Sequence, residues 1–241
     1  HFVNDSILNE VSMRRVVQQV DLIYHLAAVV GVKYVIEDPL TSIQVNVRGT
    51  EVILGLAYQY GKRTLLASSS EVYGKSTAVP LSEDSDRMLG SIRVERWSYS
   101  DSKALDEYLA LAYAKKGLAV SVVRYFNSYG PRLDPQGYGS VIAKFITQAL
   151  SGQPLTVYAD GRQTRCFTYI DDTLQGTILA ATKEEAEGQV FNIASVQEIS
   201  ILALAEKINE VVESRKHGYL GITDFVIDAV RRRLSELGFL G

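Results

Sequence analysis

The chain has very few of the residues that build cross-links and metal centres. Its 241 residues include a single cysteine, Cys166, so a disulfide within the chain is impossible. Its three histidines, His1, His25 and His217, lie far apart and show no spacing typical of metal ligands. We therefore predict that the chain has no metal site.

Long apolar runs and an excess of basic charge are also missing. No apolar run reaches the roughly 18 residues that suggest a membrane span, and no signal-peptide pattern is present. The formal net charge of −3 offers no electrostatic attraction to nucleic acid. These absences predict a cytoplasmic protein that has neither a membrane nor DNA as a partner.

What the chain does contain is an alternation of strand-like and helix-like segments. Hydrophobic residues make up 46% of it, which is enough for a sizeable core. Short apolar runs predict strands at residues 20–26, 63–68, 118–124, 155–158 and 190–193. Apolar residues three or four apart predict helices at 40–60, 101–116, 140–150 and 171–182. This alternation is typical of βαβ units, so the expected fold class is α/β with a parallel sheet.

The spacing of Tyr99 and Lys103 is the motif that points most clearly to a chemical function. In a helix, positions four residues apart lie on one face, about one turn from each other. A lysine ammonium beside a tyrosine stabilises the tyrosinate and lowers the pKa of the phenol from its ordinary value of about 10. Such a phenol can accept a proton from a hydroxyl group. The alternative is a surface helix on which the tyrosine packs against the lysine stem.

A serine-rich run follows the predicted strand at residues 63–68. Residues 68–74 read Ser-Ser-Ser-Glu-Val-Tyr-Gly. Hydroxyls at the carboxyl end of a parallel strand face the crevice in which open α/β sheets bind their ligands. The alternative is a polar turn, for which serine is well suited.

These motifs occur in a long ordered series that resembles a known family. The series continues through residues 25–28, 46–50, 124–132, 154–158, 165–171 and 191–194. Taken together it resembles the extended short-chain dehydrogenase/reductase family, which contains nucleotide-sugar epimerases, dehydratases and decarboxylases. The resemblance covers about residues 2–200 and implies NAD as the cofactor and a nucleotide sugar, most simply a UDP-sugar, as the substrate.

The resemblance implies a role for each matching residue. Tyr99 would be the general base and Lys103 its partner, while Ser69 or Ser70 would touch the reacting sugar oxygen. The NAD site would be formed by Asp5, which would contact adenine, and by Leu26, Ala27, Ala28, Ser68, Tyr99 and Lys103. Asn127, Tyr158 and Arg165 would bind the substrate near its diphosphate, its base and its phosphate or acidic sugar.

Several of these residues also have purely structural alternatives. Ala27 and Ala28 would allow a helix and a strand to pack closely. Asn127 suits a turn, and Arg165 suits a surface ion pair. Asp171 is interpreted as a helix N-cap rather than a ligand, because it opens a predicted helix.

The resemblance also implies a shared first step, in which a sugar hydroxyl is oxidised to a 4-keto sugar. Glu71 bears on the later steps, since plain 4-epimerases usually carry a small apolar residue at that position. Ser70-Glu71 before Val-Tyr-Gly, and the run at residues 96–103, are similar to decarboxylases of UDP-uronic acids. Arg165 would then hold the substrate carboxylate. We expect decarboxylation of a UDP-uronic acid, with UDP-sugar 4-epimerisation as the alternative and an inert turn charge as the structural alternative for Glu71.

The sequence departs from the family pattern at its start. No GxxGxxG or GxGxxG loop occurs there, and residues 2–19 resemble the third strand and helix of the usual order. About two βα units, on the order of 60 residues, are therefore expected to be missing. Because a glycine-rich loop normally receives the pyrophosphate, the chain alone is expected to bind NAD weakly or not at all.

The expected organisation has three parts. A partial Rossmann domain that lacks its first βα units occupies residues 1–130, and a small substrate lobe occupies residues 131–200. Residues 201–241 form a helical tail of unusual sequence, with an apolar stripe after Thr223. The alternative of another class is an inactive fragment, or a module that dimerises or associates with DNA through this tail. The family resemblance also implies a homodimer through helices around residues 40–60 and 100–116.

Overall fold

A computed structural model describes residues 1–133 and 141–213, which form two compact units. The first unit comprises His1–Phe126 and Thr173–Ile193, and the second comprises Asn127–Asp172 and the residues from Ala194 onward. The predicted apolar stripe of the tail lies outside the described residues. Every helix in the described ranges is too short or too polar to cross a membrane.

Helices and strands alternate along most of the chain. The helices are α1 (Glu10–Gln18), α2 (Val32–Glu37), α3 (Pro39–Ile43), α4 (Gly49–Tyr60), α5 (Trp97–Ala114), α6 (Val141–Leu150), α7 (Ile170–Thr182) and α8 (Ile201–Glu213). A π-helical segment, Gln44–Arg48, joins α3 to α4, and two 3-10 turns occupy Ser70–Tyr73 and Glu184–Ala186. The strands are β1 (Leu22–His25), β2 (Arg63–Ser69), β3 (Val120–Tyr125), β4 (Asn127–Tyr129), β5 (Thr164–Tyr169), β6 (Val190–Ile193) and β7 (Glu198–Ser200).

Four strands of the first unit form a parallel sheet in the order β1-β2-β3-β6. The predicted α/β class with a parallel sheet is therefore confirmed. The two edges of this sheet differ. On β6, the backbone N–H of Asn192 donates to the Glu83 carboxylate at 2.7 Å. On β1, no strand of the described residues pairs with the outer edge.

The sheet of the first unit is covered on both faces because its strands are apolar at successive positions. Leu66 and Val122 pack with Leu54 of α4 and Ala110 of α5. Their neighbours on β2 and β3, Leu65 and Val123, point to the opposite face and pack with Ala180, Ala181 and Ile193. Burial on both faces is typical of parallel sheets and explains why these strands show no polar alternation.

The second unit has a small mixed sheet and its own core. β4 pairs with β5 in parallel, and β5 pairs with β7 in the antiparallel sense. Ile142, Phe145 and Ile146 of α6 pack against a matching stripe on α8, which contains Ile201, Ala205 and Ile208. Spacings of three and four residues put each stripe on one helix face, as the sequence predicts for residues 140–150.

Two predicted strands are wrong. Residues 155–158 form no strand, because the backbone N–H of Thr156 donates to the side chain of Gln148 at 3.1 Å instead of to a neighbouring strand. Residues 2–6, which resemble a family strand, are also without strand structure, and Phe2 is 91% exposed. An extended segment becomes a strand only where another strand pairs with it, and none of the described residues does so here. The helix that follows, α1, agrees with the resemblance.

The loop after β2 depends on Gly74. This glycine has a φ of +64°, and a Cβ there would lie 2.3 Å from the carbonyl oxygen of Met88. Gly61 provides a matched control, since its φ is +61° but nothing lies within 4 Å of its Cβ position. The left-handed conformation alone costs a non-glycine residue about 1–2 kcal/mol. We predict that Gly74→Ala lowers the free energy of unfolding by clearly more than Gly61→Ala, as measured by urea denaturation; equal losses would contradict this.

Candidate active site

The carboxyl end of β2 meets the first turn of α5 at Ser69 and Tyr99. The Ser69 hydroxyl accepts a hydrogen bond from the backbone N–H of Glu71 at 3.2 Å and so caps the 3-10 turn. α5 begins at Trp97, earlier than predicted, so Tyr99 and Lys103 do lie one turn apart on one helix. The Tyr99 side chain is half-buried and lies near the Ser69 side chain. The structure therefore brings together the predicted base and one of the predicted serines.

Lys103 lies deeper than the sequence suggests. Its side chain is buried, and its ammonium donates to the carbonyl of Ala67 at 3.0 Å and to the Asp106 carboxylate at 3.3 Å. Burial raises the pKa of Tyr99, against the hydrogen bond from Ser69, and the charges of Glu71 and Asp106 raise it further. The expected lowering of the Tyr99 pKa is thus wrong for this arrangement, because the effect of burial is the largest.

Ser68 faces the opposite side of β2 from Ser69 and enters a buried polar network. Its hydroxyl donates to Glu107 Oε1 at 2.5 Å. Arg124 binds the same carboxylate through two bonds, from Nε at 2.9 Å and from Nη2 at 2.7 Å. Arg124 Nη1 also donates to the hydroxyl of Tyr73 at 2.7 Å. This corrects the expectation that Ser68 lines the cofactor site, because the Ser68 hydroxyl is buried and donates to Glu107.

Glu71 lies at the surface beside the reacting residues. It is the second residue of the 3-10 turn, after the partly buried Ser70. Its carboxylate lies 3.6 Å from the guanidinium of Arg96, which in turn stacks over the Trp97 ring at 4.8 Å. The charge of Glu71 raises the pKa of Tyr99 in addition to the effect of burial.

The loop that follows β1 is held by a residue whose role the sequence did not reveal. The side chain of Asn46 is buried; its Oδ1 accepts from the backbone N–H of Val29 at 2.7 Å, and its Nδ2 donates to the Val29 carbonyl at 3.2 Å. Asn46 lies in the π-helical segment, and such segments are frequent at functional sites. In the sequence Asn46 stood only as part of the motif at residues 46–50, to which no role was assigned. In the loop that Asn46 holds, Leu26 and Ala27 are exposed and Ala28 is half-buried.

Asp5 has a local structural role. Its carboxylate accepts from the backbone N–H of Ser6 at 2.7 Å and from the side chain of Asn9 at 3.0 Å. The hydrogen bond from Ser6 lowers the pKa of Asp5. Asn9 in turn caps α1, so Asp5 organises the turn that precedes this helix.

The three predicted substrate residues all lie in the second unit. Asn127 begins β4 and donates from its side chain to the carbonyl of Cys166 at 3.3 Å. Tyr158 is 67% exposed, and its hydroxyl accepts from the Lys144 ammonium at 3.0 Å. Arg165 lies on β5, where its side chain is exposed and donates to the carbonyl of Thr164 at 2.7 Å. The ion-pair alternative for Arg165 has no support among the described residues.

The residues of the first unit fit one end of a dinucleotide. Ala27 and Ala28 are small and follow a strand at the carboxyl edge of a parallel sheet, where such folds bind their ligands. Tyr99 and Ser69 offer hydroxyls at the end of the adjacent strand. The pyrophosphate end normally needs backbone N–H groups of a glycine-rich loop, and the sequence contains no such loop near its start. The fit is therefore to the nicotinamide end.

Comparison with known proteins agrees with this geometry. The model of the NAD-dependent epimerase/dehydratase family matches residues 1–194. The chain is 47% identical over 209 residues to a UDP-N-acetyl-alpha-D-glucosaminuronate decarboxylase of Bacillus cytotoxicus, across 87% of the chain and 64% of that relative. It is 39% identical over 196 residues to UDP-glucuronic acid decarboxylase 1 of Arabidopsis thaliana, across 81% of the chain and 44% of that relative.

A solved structure shows the same architecture. The chain superposes on a UDP-glucose 4-epimerase of Thermotoga maritima, determined with UDP-glucose, with a TM-score of 0.81 at 28% identity. The match covers 89% of this chain and 69% of that one. The parallel sheet is thus of the Rossmann type. The chain spans 64% and 44% of the length of the two curated relatives.

The buried pair of Glu107 and Arg124 allows a stability test. We predict that Glu107→Gln lowers the free energy of unfolding by about 3–5 kcal/mol, because it leaves the guanidinium buried without a counter-charge. Asp101→Asn is the control, since Asp101 is 53% exposed and pairs with Arg87 at the surface; it should cause little measurable change. Urea denaturation compares the two variants, and similar losses in both would contradict the structural role of the buried pair.

Proposed function

This chain belongs to the NAD-dependent epimerase/dehydratase family, and on that premise we propose that it carries the catalytic residues of an enzyme that decarboxylates a UDP-uronic acid through a 4-keto intermediate. The observation that carries the proposal is that the side chains of Ser69 and Glu71 both act on the Tyr99 phenol at the carboxyl end of β2. The decarboxylase activities for which the Bacillus and Arabidopsis relatives are named support this choice of reaction.

In this proposal Tyr99 takes the proton of the sugar 4-hydroxyl. Ser69 donates a hydrogen bond that keeps the phenol and the sugar oxygen aligned, and it also favours the tyrosinate. Lys103 lies one turn away and holds a positive charge near the developing anion. NAD, when bound, supplies the hydride acceptor for C4 of the sugar.

The ketone at C4 makes the substrate a β-keto acid. The bond between C5 and the carboxylate breaks, carbon dioxide leaves, and the electron pair passes into the ketone as an enolate. Carbon 5 must then receive a proton before the ketone is reduced again. Glu71 lies at the surface, and in this proposal its carboxylate takes a proton from water and passes it to C5; a plain 4-epimerisation requires no acid at this step.

The second candidate reaction is 4-epimerisation of a UDP-sugar. It is favoured by the close match to the Thermotoga maritima epimerase. In that reaction the 4-keto sugar would rotate and be reduced on its other face, and Glu71 would have no chemical task. The two reactions therefore differ in their dependence on Glu71 and in the release of carbon dioxide.

We further propose that the active form is a homodimer. Helices α3 and α5 expose several large apolar side chains, including Leu40, Ile43, Leu105 and Tyr108. Ile43 and Leu105 line one surface hollow together with Val47, Ile92, Val94 and Trp97. A second copy of the chain would bury this surface, which is the one implied by the family resemblance.

The reaction is tested with the 241-residue polypeptide and with a form that carries a glycine-rich βα segment before His1. Each is incubated with NAD and with UDP-glucuronate, its N-acetylated counterpart or UDP-glucose, and products are identified by NMR and carbon dioxide release. We expect decarboxylation of a UDP-uronic acid by the extended form. Epimerised UDP-glucose without carbon dioxide would favour the second candidate, and no conversion in either form would refute both.

The role of Tyr99 is tested in whichever form is active. We predict that Tyr99→Phe lowers kcat by about 10²–10⁴-fold while leaving nucleotide-sugar affinity nearly unchanged, because only the proton acceptor is lost. Tyr113→Phe is the matched control, as Tyr113 lies on the same helix but packs against the core of the first unit. Preserved turnover in the Tyr99 variant would show that Tyr99 is not the general base.

The dimer is tested by sedimentation velocity. We predict that Leu105→Glu yields monomers, because it places a charge in the apolar surface of α5. Ile178→Glu on α7 is the control, with a side-chain exposure of 51% against 46% for Leu105. A monomeric unaltered chain, or a Leu105 variant that still dimerises, would be incompatible with this interface.

A further inference from the structure

A buried carboxylate lies directly behind Lys103 and has no task in the chemistry described above. Asp106 follows Lys103 on α5, and none of its surface is exposed. Its Oδ2 lies 3.3 Å from the Lys103 ammonium, and its Oδ1 has no hydrogen-bond partner in the described part of the chain. Burying a carboxylate with a free oxygen is costly, so the needs of folding alone do not account for this residue.

The groups around Asp106 come from four elements. α5 itself contributes Lys103, Tyr99 and Glu107, of which Glu107 is already paired with Arg124. α4 contributes the Thr50 hydroxyl, β1 contributes His25, and β2 contributes the carbonyl of Ala67 that binds Lys103.

His25 supplies no charge to this cluster. Its Nε2 lies 3.0 Å from the Thr50 hydroxyl, and burial, followed by the charge of Lys103, lowers the pKa of His25 to about 4. Within the described ranges, Asp106 is therefore the one anion in ion-pair contact with Lys103.

We propose that Asp106 is a positioning residue for the reaction, because its carboxylate keeps the buried Lys103 ammonium charged and anchored at the carbonyl of Ala67, one turn from Tyr99. The role in turnover rests on the proposed function, whereas the coupling of the two side chains does not. Without its counter-charge, burial would favour the neutral amine, and a neutral amine cannot stabilise a developing tyrosinate.

The protonation of Asp106 supports this assignment. Burial raises the pKa of Asp106 from 3.8 to about 6, against the opposing effects of Lys103 and Thr50. The pKa of Asp106 in the folded chain lies above its ordinary value, so folding favours the protonated carboxyl. The contribution of Asp106 to stability is therefore fully present below pH 3.8 and is lost as the pH rises through about 6. At neutral pH the carboxylate is thus kept ionised at a cost in stability.

The test measures the ionisation of Lys103 in the full chain by NMR titration of ¹³C-labelled lysine, with the signal assigned through Lys103→Arg. In Asp106→Asn we expect the Lys103 ammonium to lose its proton more readily than in the unaltered chain, because it is buried and has lost its partner. Asp101→Asn, on the same helix, should leave the Lys103 titration unchanged. An unchanged Lys103 titration would overturn the proposal.

A second measurement does not depend on the folding of any variant. In the unaltered chain, the Lys103 signal should show an additional inflection at the pH where Asp106 titrates. Its absence would show that the two groups are not coupled and would equally overturn the proposal.

Turnover separates a positioning role from a structural one. In the active protein, Asp106→Asn should shift the alkaline limb of the pH profile of kcat to lower pH by the shift seen for Lys103, with KM nearly unchanged. An unaltered profile would refute the role of Asp106 and leave the proposed reaction intact. If the unaltered protein converts no UDP-uronic acid, the proposed reaction is refuted. The NMR titration would then still show whether Lys103 and Asp106 are coupled.

Discussion

The buried ion pair between Glu107 and Arg124 is the constraint on which the candidate site depends. Its two hydrogen bonds join α5 to β3, and Ser68 and Tyr73 attach β2 and the 3-10 turn to the same two side chains. A bidentate pair tolerates little rotation or sliding. The orientation of α5 relative to the sheet is thereby fixed, and the face that carries Tyr99 meets the end of β2 as a consequence.

Tyr99, Lys103 and Glu107 follow one another at intervals of four residues along α5, so they form a column on one helix face. In this column the Tyr99 phenol is half-buried, whereas Lys103 and Glu107 are buried charges. Lys103 pairs with Asp106, and Glu107 pairs with Arg124. Such a series of polar groups weakens a core that apolar residues would fill more stably. Its presence at the carboxyl edge of a parallel sheet is consistent with a site selected for chemistry and not for stability alone.

The sequence predicted those features that depend on local periodicity. β2 and β6 were located closely, and the four-residue spacing of Tyr99 and Lys103 became a shared helix face. Features that depend on distant partners were missed. Ser68 and Ser69 look equivalent in sequence, but the alternation of side chains in a strand sends one to Glu107 and the other to Tyr99. Residues 155–158 look like a strand, yet the side chain of Gln148 takes the place of a strand partner.

The outer edge of β1 has a consequence for how this polypeptide behaves in concentrated solution. Unlike β6, which is protected by the carboxylate of Glu83, β1 reads Leu-Ile-Tyr-His and contains no lysine, acidic residue or proline to deter an approaching backbone. No strand of the described residues pairs with this edge, and unpaired edges are templates for strand addition between molecules. A preparation of the isolated chain is therefore prone to self-association by β-strand pairing, and its recovery should improve when a peptide that can serve as the adjoining strand is supplied during folding.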